Sequence, residues 1–244
     1  MTSPAPASYT EIVSFRYGKA KKLLILNDPY NGLVIRDTGE YSEAEVEIFR
    51  MYVKPDSLVV DAGALIGAHT IPLAELCPNG LVIAFEPQRI PFQVLCGNIQ
   101  INGLNNVRAY NAALGAEPGT TRMELNDPSE VSYWGLSKTG ADIGEQVNVE
   151  PLDNLQLPKL DFIKIDTEGD ELKVLTGAEK TITNFMPVIY LEYKEHNQDI
   201  LNFLGGFRYA RWIDKKPGTQ MLLCLPATAS INNWDNRFDF VNYP

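Results

Sequence analysis

The stretch Val59–Gly67, which reads VVDAGALIG, decides how this chain folds. It is a short apolar run that ends in Asp61 and is followed by Gly63 and Gly67. Such a run is typical of a buried strand, and the glycines let the backbone approach a ligand without a Cβ atom in the way. The end of a parallel strand before a helix is a common ligand crevice. We therefore expect a ligand site at residues 61–67, which we call the glycine turn.

The spacing of the glycine turn argues against two common nucleotide sites. It does not match the GxGxxG fingerprint of dinucleotide-binding domains, and it lacks the lysine of a phosphate-binding loop. An acid at the end of the strand instead suits a cationic or hydroxyl-rich ligand, and S-adenosylmethionine carries an ammonium, a sulfonium and a ribose diol. The next apolar run ends in Glu86, at the place where an acid usually holds ribose hydroxyls. The alternative for Glu86 is a surface acid that caps the following helix.

Short apolar runs alternate with helical stretches over most of the chain. This pattern is typical of a parallel sheet covered by helices on both faces. Aromatic and β-branched runs near the end of the chain predict a closing antiparallel hairpin. The predicted strands are 57–61, 80–85, 107–111, 161–165 and 188–192, the hairpin is 207–213 and 221–225, and the predicted helices are 68–77, 88–102 and 170–185.

Two regions lie outside this alternation. Residues 1–54 predict an accessory layer with strands at 11–17 and 22–26 and a helix that begins at Ser42. The main domain is then expected over 55–244. Within it, residues 117–150 are polar and rich in Gly, Ser and Thr, which predicts an insertion of short strands or a mobile flap.

Composition and charge limit the classes of partner and compartment. The chain has 244 residues and a net charge of -10, which argues against a long nucleic acid as substrate. No apolar run is long enough to cross a bilayer, and the first residues do not resemble a secretory signal. The three cysteines are far apart, which argues against a disulfide framework or a zinc site. We expect a cytoplasmic protein with reduced thiols and no membrane partner.

Four blocks of the sequence resemble the FkbM-type methyltransferases, a family of class I S-adenosylmethionine-dependent enzymes. The segment IKIDTEG, followed by a helix that carries VLTGA, is the most specific part of the resemblance. It implies an α/β, Rossmann-like, doubly wound sheet of seven strands, mostly parallel, with a reversed final hairpin. It also implies S-adenosylmethionine as cofactor. The blocks are VVDAGALIGAHT from residue 59, AFEPQ from 84, NAALG from 111 and DFIKIDTEGDELKVLTGAEKTI from 161.

The resemblance also implies which residues contact the cofactor. Asp61, Gly63 and Gly67 would hold its methionine end, Glu86 its ribose, and Asn111 with Ala112 would flank the adenine. This chain departs from the family at Leu65, where an asparagine is common and where leucine offers no side-chain hydrogen bond. The full expected cofactor set is Asp61, Ala62, Gly63, Ala64, Gly67, Glu86, Pro87, Asn111, Ala112 and Asp166.

Candidates for the chemistry on the acceptor follow the fourth and fifth predicted strands of the main sheet. Asp166 and Glu168 could position the acceptor, act as a base or bind a divalent metal, or simply end the strand and cap the next helix. Glu192 and His196 form a second cluster, and His69 directly follows the glycine turn. No tight ligand spacing requires a metal, so none is predicted.

Several functions are compatible with these residues. O-methylation of a hydroxyl on a small molecule, sugar or natural-product scaffold is the leading hypothesis, with a small-molecule or glycan acceptor as partner. The alternatives are N-methylation of a small amine or peptide, and a module that binds the cofactor without catalysis. Tyr133 and Trp134 in the insertion could cover a ring of the acceptor or only pack an irregular loop.

Overall fold

A central mixed sheet, a two-stranded sheet that precedes it in the sequence, a three-stranded sheet inserted between two of its strands, and flanking helices make up the fold. The computed structural model describes residues 9–127, 132–194, 197–215, 220–227 and 237–241. The strands are β1 (Thr10–Ser14), β2 (Lys22–Leu26), β3 (Leu58–Ala62), β4 (Leu81–Phe85), β5 (Val107–Tyr110), β6 (Ala113–Leu114), β7 (Gly119–Met123), β8 (Glu145–Glu150), β9 (Phe162–Ile165), β10 (Val188–Glu192), β11 (Tyr209–Asp214), β12 (Met221–Pro226) and β13 (Phe238–Phe240).

The helices pack mainly beside the central sheet, and none in the described ranges is long and apolar enough to cross a membrane. Two short 3-10 helices lie at Trp134–Leu136 and Leu152–Leu155. The α-helices are α1 (Asn31–Thr38), α2 (Glu43–Tyr52), α3 (Thr70–Leu76), α4 (Arg89–Ile101), α5 (Glu171–Thr176), α6 (Glu179–Phe185) and α7 (Gln198–Gly205).

The central sheet has the order β13-β11-β12-β10-β9-β3-β4-β5. Strands β10, β9, β3, β4 and β5 are parallel to one another, whereas β12 and β11 form the closing antiparallel hairpin. The α/β fold class, the parallel strands and the hairpin are therefore confirmed. The predicted number of seven strands was one too few, because the three-residue strand β13 pairs with the outer edge of β11 and is too short to stand out in the sequence.

Alternate residues of the strands build a core on each face of this sheet, as strand geometry requires. Val60 and Ile163 point to the face covered by α5, α6 and α7. Phe162 and Tyr190 point to the other face, where the ring of Phe49 on α2 lies 5.7 Å and 6.2 Å from theirs. The N-terminal layer thus belongs to the same hydrophobic core as one face of the sheet.

The N-terminal layer is also joined to the glycine turn through hydrogen bonds. Asn98 on α4 is fully buried, and its side-chain amide donates to the carbonyl oxygens of Leu24 and Ile66, each at 2.8 Å. Its Oδ1 atom accepts from the backbone amide of Leu24 at 2.6 Å. One side chain therefore fixes strand β2 against the turn that follows β3.

Two elements differ from the sequence prediction. Helix α1 is absent from the sequence prediction; Asp28 accepts from the amides of Tyr30 and Asn31 and so holds the chain where this helix begins. The single helix predicted over 170–185 is two helices separated near Gly177. A Cβ atom at Gly177 would lie 2.0 Å from the carbonyl oxygen of Gly115, so the chain needs glycine where the backbones meet.

The region 117–150 contains short strands, as the sequence indicated. Strand β8 pairs antiparallel with β7 and parallel with β6 in a three-stranded sheet. Between β7 and β8, the described residues 132–139, which we call the flap, include the 3-10 helix at Trp134–Leu136. The flap crosses the carboxyl ends of the central strands.

Candidate active site

A cavity opens at the carboxyl ends of β3, β4 and β9, the edge that the sequence predicted. Its walls come from the N-terminal layer, the glycine turn, the ends of β4 and β9, and the flap. Its lining includes Tyr30, Tyr41, Gly63, Ala64, Leu65, His69, Glu86, Pro87, Gln88, Ala112, Tyr133, Trp134, Lys164, Asp166 and Glu168.

Gly63 allows two strand ends to meet. Its φ angle is +81°, and a Cβ atom there would lie 1.8 Å from the carbonyl oxygen of Asp166. The amides of Gly63 and Ala64 both donate to the carbonyl oxygen of Phe85, at 3.0 Å and 2.9 Å. Glycine is thus required both by the backbone conformation and by the close approach of β9.

Glu86 is held in place by two backbone amides. Its Oε2 atom accepts from Leu65 and its Oε1 atom from Gln88, each at 2.8 Å, and the residue is 2 % exposed. Burial raises the pKa of Glu86 to about 7, although the two backbone hydrogen bonds act in the opposite direction. Each carboxylate oxygen keeps a further lone pair that could accept from a ribose hydroxyl.

Leu65, where the family commonly has asparagine, contacts Glu86 through its backbone. Its φ angle is +49°, in the left-handed region that asparagine adopts more readily than leucine. The hydrogen bond to Glu86 comes from the backbone amide, which any residue except proline supplies. The leucine side chain packs at the edge of the core that includes Trp134. The hydrogen bond to Glu86 is therefore kept with leucine at this position.

A buried ion group lies under the turn. Lys164, which is 2 % exposed, places its Nζ atom 3.4 Å from Asp166 Oδ2 and 3.6 Å from Asp61 Oδ1. Burial alone would lower the pKa of Lys164, but Asp166 and Asp61 raise it, and the net shift is upward. Asp61 Oδ2 accepts from the Thr70 hydroxyl at 2.7 Å. Lys164 therefore stays a cation between two carboxylates.

His69 is buried beside the N-terminal layer. Its ring centroid lies 5.3 Å from that of Tyr41, and its Nε2 atom lies 3.9 Å from Glu45 Oε1. Burial lowers the pKa of His69 to about 3, and the nearby Lys164 acts in the same direction. A neutral histidine with so low a pKa is a weak base, so this arrangement favours a binding role over proton removal.

The predicted carboxylates of the acceptor side do come together. Asp166, Glu168 and Glu192 each offer an oxygen within 4.8 Å of the others. Lys194 pairs with Glu168 at 2.9 Å and with Glu192 at 3.1 Å. Burial, followed by the charges of Asp166 and Glu168, raises the pKa of Glu192 to about 7. The site therefore contains a carboxyl that can exchange a proton near neutral pH.

The predicted site residues fall into three groups. Gly63, Ala64, His69, Glu86, Pro87, Ala112, Asp166 and Glu168 line the cavity. Five others support it from outside the lining: Asp61, Ala62, Gly67, Asn111 and Glu192. His196 lies outside the described residues.

Asn111, which is expected at the adenine edge, also holds the backbone next to it. Its side-chain amide donates to the carbonyl oxygens of Glu86 and Pro87, each at 2.9 Å, and the residue is exposed. These bonds fix the segment that carries Glu86. The neighbouring Ala112 lines the cavity instead.

The flap is bound from both sides of the cavity. The Trp134 amide donates to Asp28 Oδ2 at 3.2 Å, and the Trp134 carbonyl accepts from Gln88 Nε2 at 2.9 Å. The rings of Tyr30 and Tyr133 make an edge contact with centroids 6.1 Å apart. Sequence reasoning missed Lys164, Tyr41 and Gln88; of these, only Lys164 carries a signal, since it is a charged residue inside an apolar strand.

These side chains fit S-adenosylmethionine. Gly63 and Ala64 line the cavity at the glycine turn, and Glu86 offers carboxylate oxygens at the place expected for the ribose. Asp61 Oδ1 and His69 Nε2 are buried and have no hydrogen-bond partner among the described residues, so polar ligand atoms could satisfy them.

Comparison with known proteins decides the family. A family model for the methyltransferase FkbM domain matches residues 61–211, more than half of the chain. The chain belongs to the FkbM methyltransferase family. It is thus an S-adenosylmethionine-dependent methyltransferase domain, with S-adenosylmethionine as its expected cofactor. The matched residues include both the glycine turn and the acidic group after β9 and β10.

Relatives of this FkbM domain agree with that assignment. Methyltransferase 1 of Beauveria bassiana (strain ARSEF 2860) is 27% identical, with 57% of this chain and 67% of the relative covered. A methyltransferase FkbM from Methylobacillus flagellatus KT has the same fold, with a TM-score of 0.54 and 21% identity over 70% of this chain and 44% of that one. The chain therefore spans less than half of that crystal structure's chain.

One more similar fold is that of M. jannaschii TYW2, whose structure is a complex with AdoMet. The two folds have a TM-score of 0.50 and are 16% identical, over 90% of this chain and 86% of that one. The similarity concerns the fold of the FkbM domain and not its acceptor.

Proposed function

We propose that this FkbM domain methylates a hydroxyl group on a small molecule, sugar or natural-product scaffold. The observation that carries the proposal is the carboxyl of Glu192, with a pKa of about 7, beside Asp166 and Glu168 at the strand ends that adjoin the cofactor cavity. A hydroxyl must lose its proton when it is methylated, and a base whose pKa lies near the working pH serves best. Amine acceptors have less need of such a base.

Roles for the residues follow from their positions. The bound cofactor supplies a methyl group on a sulfonium sulfur, and the acceptor oxygen forms the new bond to carbon as the carbon–sulfur bond breaks. We assign the ribose to Glu86 and the acceptor hydroxyl to Glu168, which lines the cavity. Glu192 accepts the proton that the hydroxyl loses. Lys194 pairs with both Glu168 and Glu192 and keeps them in place.

N-methylation is a second candidate because the acceptor end of the cavity is acidic. Asp166, Glu168 and Asp170 line it, and an ammonium group would be attracted there. The two reactions differ in whether they need Glu192 as a base. O-methylation needs Glu192, whereas an amine that loses its proton to water does not.

The test is methyl transfer from labelled S-adenosylmethionine to panels of alcohols, sugars and amines. We expect turnover with a hydroxyl acceptor, and we expect Glu192→Gln to lower kcat at least about a hundredfold while cofactor affinity is retained. The matched control is Glu117→Gln, an exposed carboxyl in the loop before β7. Turnover confined to amines, or full activity of Glu192→Gln, would contradict the proposal.

A cytoplasmic location belongs to the same proposal. Cys77, Cys96 and Cys224 are free, which suits a reducing compartment. Cell fractionation would test it, and recovery of the protein only outside the cytoplasm would contradict it.

A further inference from the structure

Five exposed apolar side chains lie where the cavity opens to solvent. They belong to the start of α1 and to the flap, and we call them the apolar mouth. Tyr30, Tyr133 and Leu136 line the cavity itself, whereas Leu33 and Val34 continue from Tyr30 along α1. The exposed fractions are 67 % for Tyr30, 43 % for Leu33, 42 % for Val34, 50 % for Tyr133 and 55 % for Leu136.

The side chains of the apolar mouth form one continuous surface. Tyr30, Leu33 and Val34 are spaced i, i+3 and i+4, which places them on one face of α1. Tyr133 and Leu136 are separated by a single 3-10 turn, in which residues three apart lie above one another. The rings of Tyr30 and Tyr133, with centroids 6.1 Å apart, join the two halves.

One buried carboxylate holds both halves of the apolar mouth. Asp28 is 4 % exposed, and its Oδ1 atom accepts from the amide of Tyr30 at 2.7 Å. Its Oδ2 atom accepts from the amide of Trp134, the residue after Tyr133, at 3.2 Å. The backbone that carries the exposed side chains is therefore fixed from beneath, so the fold itself presents them to solvent.

An apolar surface at the opening of a cavity indicates a ligand with an apolar part. Contiguous apolar surface is seldom exposed on a folded protein unless it binds something. The side chains of Leu33, Val34 and Leu136 offer no hydrogen bond to the hydroxyls of a free sugar. The net charge of -10 disfavours an anionic membrane surface as the occupant. Continuity with the cavity instead favours a molecule that occupies both.

The acceptor end of the same cavity is acidic. Asp166, Glu168 and Asp170 line it. The flap connects this end to the apolar mouth, because the Thr139 hydroxyl at the far end of the flap donates to Asp170. A molecule that spans the cavity would thus place a polar group among carboxylates and an apolar group among leucine, valine and tyrosine side chains.

We infer that the acceptor is amphiphilic, with a hydroxyl at the acidic end of the cavity and an apolar chain or ring system against the apolar mouth. The inference rests on the proposed function, because the hydroxyl in question is the one that the reaction methylates. It narrows the acceptor to scaffolds with a substantial apolar part. Tyr30, Tyr133 and Leu136 then determine specificity by binding the acceptor away from its reacting oxygen.

The experiment measures the binding of two primary alcohols to the full chain saturated with S-adenosylhomocysteine. 1-Octanol and 1-propanol carry the same hydroxyl and differ only in the length of the apolar chain. In saturation-transfer NMR titrations, we expect the Kd of 1-octanol to be at least about tenfold lower, which burial of about two further methylene groups would give. Glucose, which has hydroxyls and no apolar chain, should bind no more tightly than 1-propanol.

Variants locate the bound chain. Leu33→Ser combined with Leu136→Ser removes two exposed leucines of the apolar mouth and should raise the Kd of 1-octanol at least about fivefold, with the Kd of 1-propanol unchanged. The matched control is Leu125→Ser, a leucine that is 66 % exposed and lies outside the cavity lining, and it should bind like the wild type. Circular dichroism checks that each variant is folded.

Equal Kd values of the two alcohols for the wild-type protein would overturn the inference, as would an equal effect of the control variant. Weaker binding of S-adenosylhomocysteine by the double variant, with 1-octanol unaffected, would assign the apolar mouth to the cofactor instead. Binding to phosphatidylcholine vesicles, or dimers in light scattering, would likewise contradict it if the double variant abolished them and left 1-octanol binding intact.

The inference and the proposed function fail separately. No methyl group is transferred in these titrations, so they report the apolar mouth alone. If 1-octanol binds as expected and only amines are methylated, the hydroxyl acceptor is wrong and the apolar subsite stands. If hydroxyls are methylated and 1-octanol binds no better than 1-propanol, the subsite is wrong and the proposed function stands.

Discussion

The Oε2 atom of Glu86 accepts a hydrogen bond from the backbone amide of Leu65 across 2.8 Å. This bond joins the end of β4 to the turn after β3, so the acid expected at the ribose and the glycine turn are positioned as one unit. Since the donor is a backbone group, the geometry depends on the path of the chain more than on the side chain at position 65.

Gly63→Ala should unfold the glycine turn. The new Cβ atom would meet the carbonyl oxygen of Asp166 at 1.8 Å, and the positive φ adds strain, so we expect a loss of at least about 3 kcal/mol in the free energy of unfolding. The control is Gly103→Ala, which also has a positive φ but has no atom within 4 Å, and should cost about 1 kcal/mol. Urea denaturation measures both; similar losses would refute the close-contact argument.

Cofactor affinity should depend on pH through Glu86. Its pKa of about 7 in the free protein means that acid protonates the carboxylate that would accept from the ribose hydroxyls. The Kd of S-adenosylhomocysteine should therefore rise about tenfold from about pH 8 to about pH 6. Calorimetry across this range checks it. In Glu86→Gln, binding should be weaker and the slope smaller; an unchanged slope would assign the effect to another group.

The flap should control how fast the cofactor leaves. Gln88→Met removes the hydrogen bond from Gln88 Nε2 to the Trp134 carbonyl. We expect dissociation of S-adenosylhomocysteine to become about three- to tenfold faster, as measured by stopped-flow fluorescence. Gln100→Met, an exposed position on helix α4, which begins directly after Gln88, is the control. Identical rates in both variants would mean that the flap does not limit release.

Stability should fall as the pH rises from about 5 to 7. Glu45, Glu86 and Glu192 each have a folded-state pKa of about 7, above their unfolded value, so the folded protein holds protons that the unfolded chain has released. His69, with its pKa lowered to about 3, acts in the opposite direction below pH 6.5, but it is one group against three.

The Glu45→Gln variant isolates one of these contributions. Burial is the main cause of the raised pKa of Glu45, so removing its charge should reduce the loss of stability between about pH 5 and pH 7 by up to about 3 kcal/mol. Urea denaturation at both pH values gives the difference. Glu75→Gln, an exposed position on α3, should behave like the wild type. A steeper loss in Glu45→Gln would contradict the sign of this argument.

Local residue patterns were enough to predict strands of the central sheet and the acid that follows one of them. Apolar runs placed β3 and β4 correctly, and the acid after β4 led directly to Glu86. The pairing of Lys164 with Asp61 could not be read in the same way, because the two residues are far apart in the sequence and meet only through the register of β3 with β9. A single sequence does not show register.

Asn111, which is expected beside the adenine, is a related case. Asn111 stands at a strand end, where its amide could meet either a ligand or a neighbouring backbone, and residue type alone does not choose between them. The structure shows that the backbone of Glu86 and Pro87 takes both hydrogens of that amide. The division at residue 54 stays a prediction, as do the catalytic roles.

The packing of Phe49 against Phe162 and Tyr190 bears on how such proteins can be recombined. A chimera that joins the first 54 residues of one relative to the remainder of another would place unmatched aromatic rings in a single shared interior. Crossovers near that boundary should therefore be tolerated only when both parents carry compatible rings. An exchange of the flap would meet the same condition, because Trp134 packs in that shared interior.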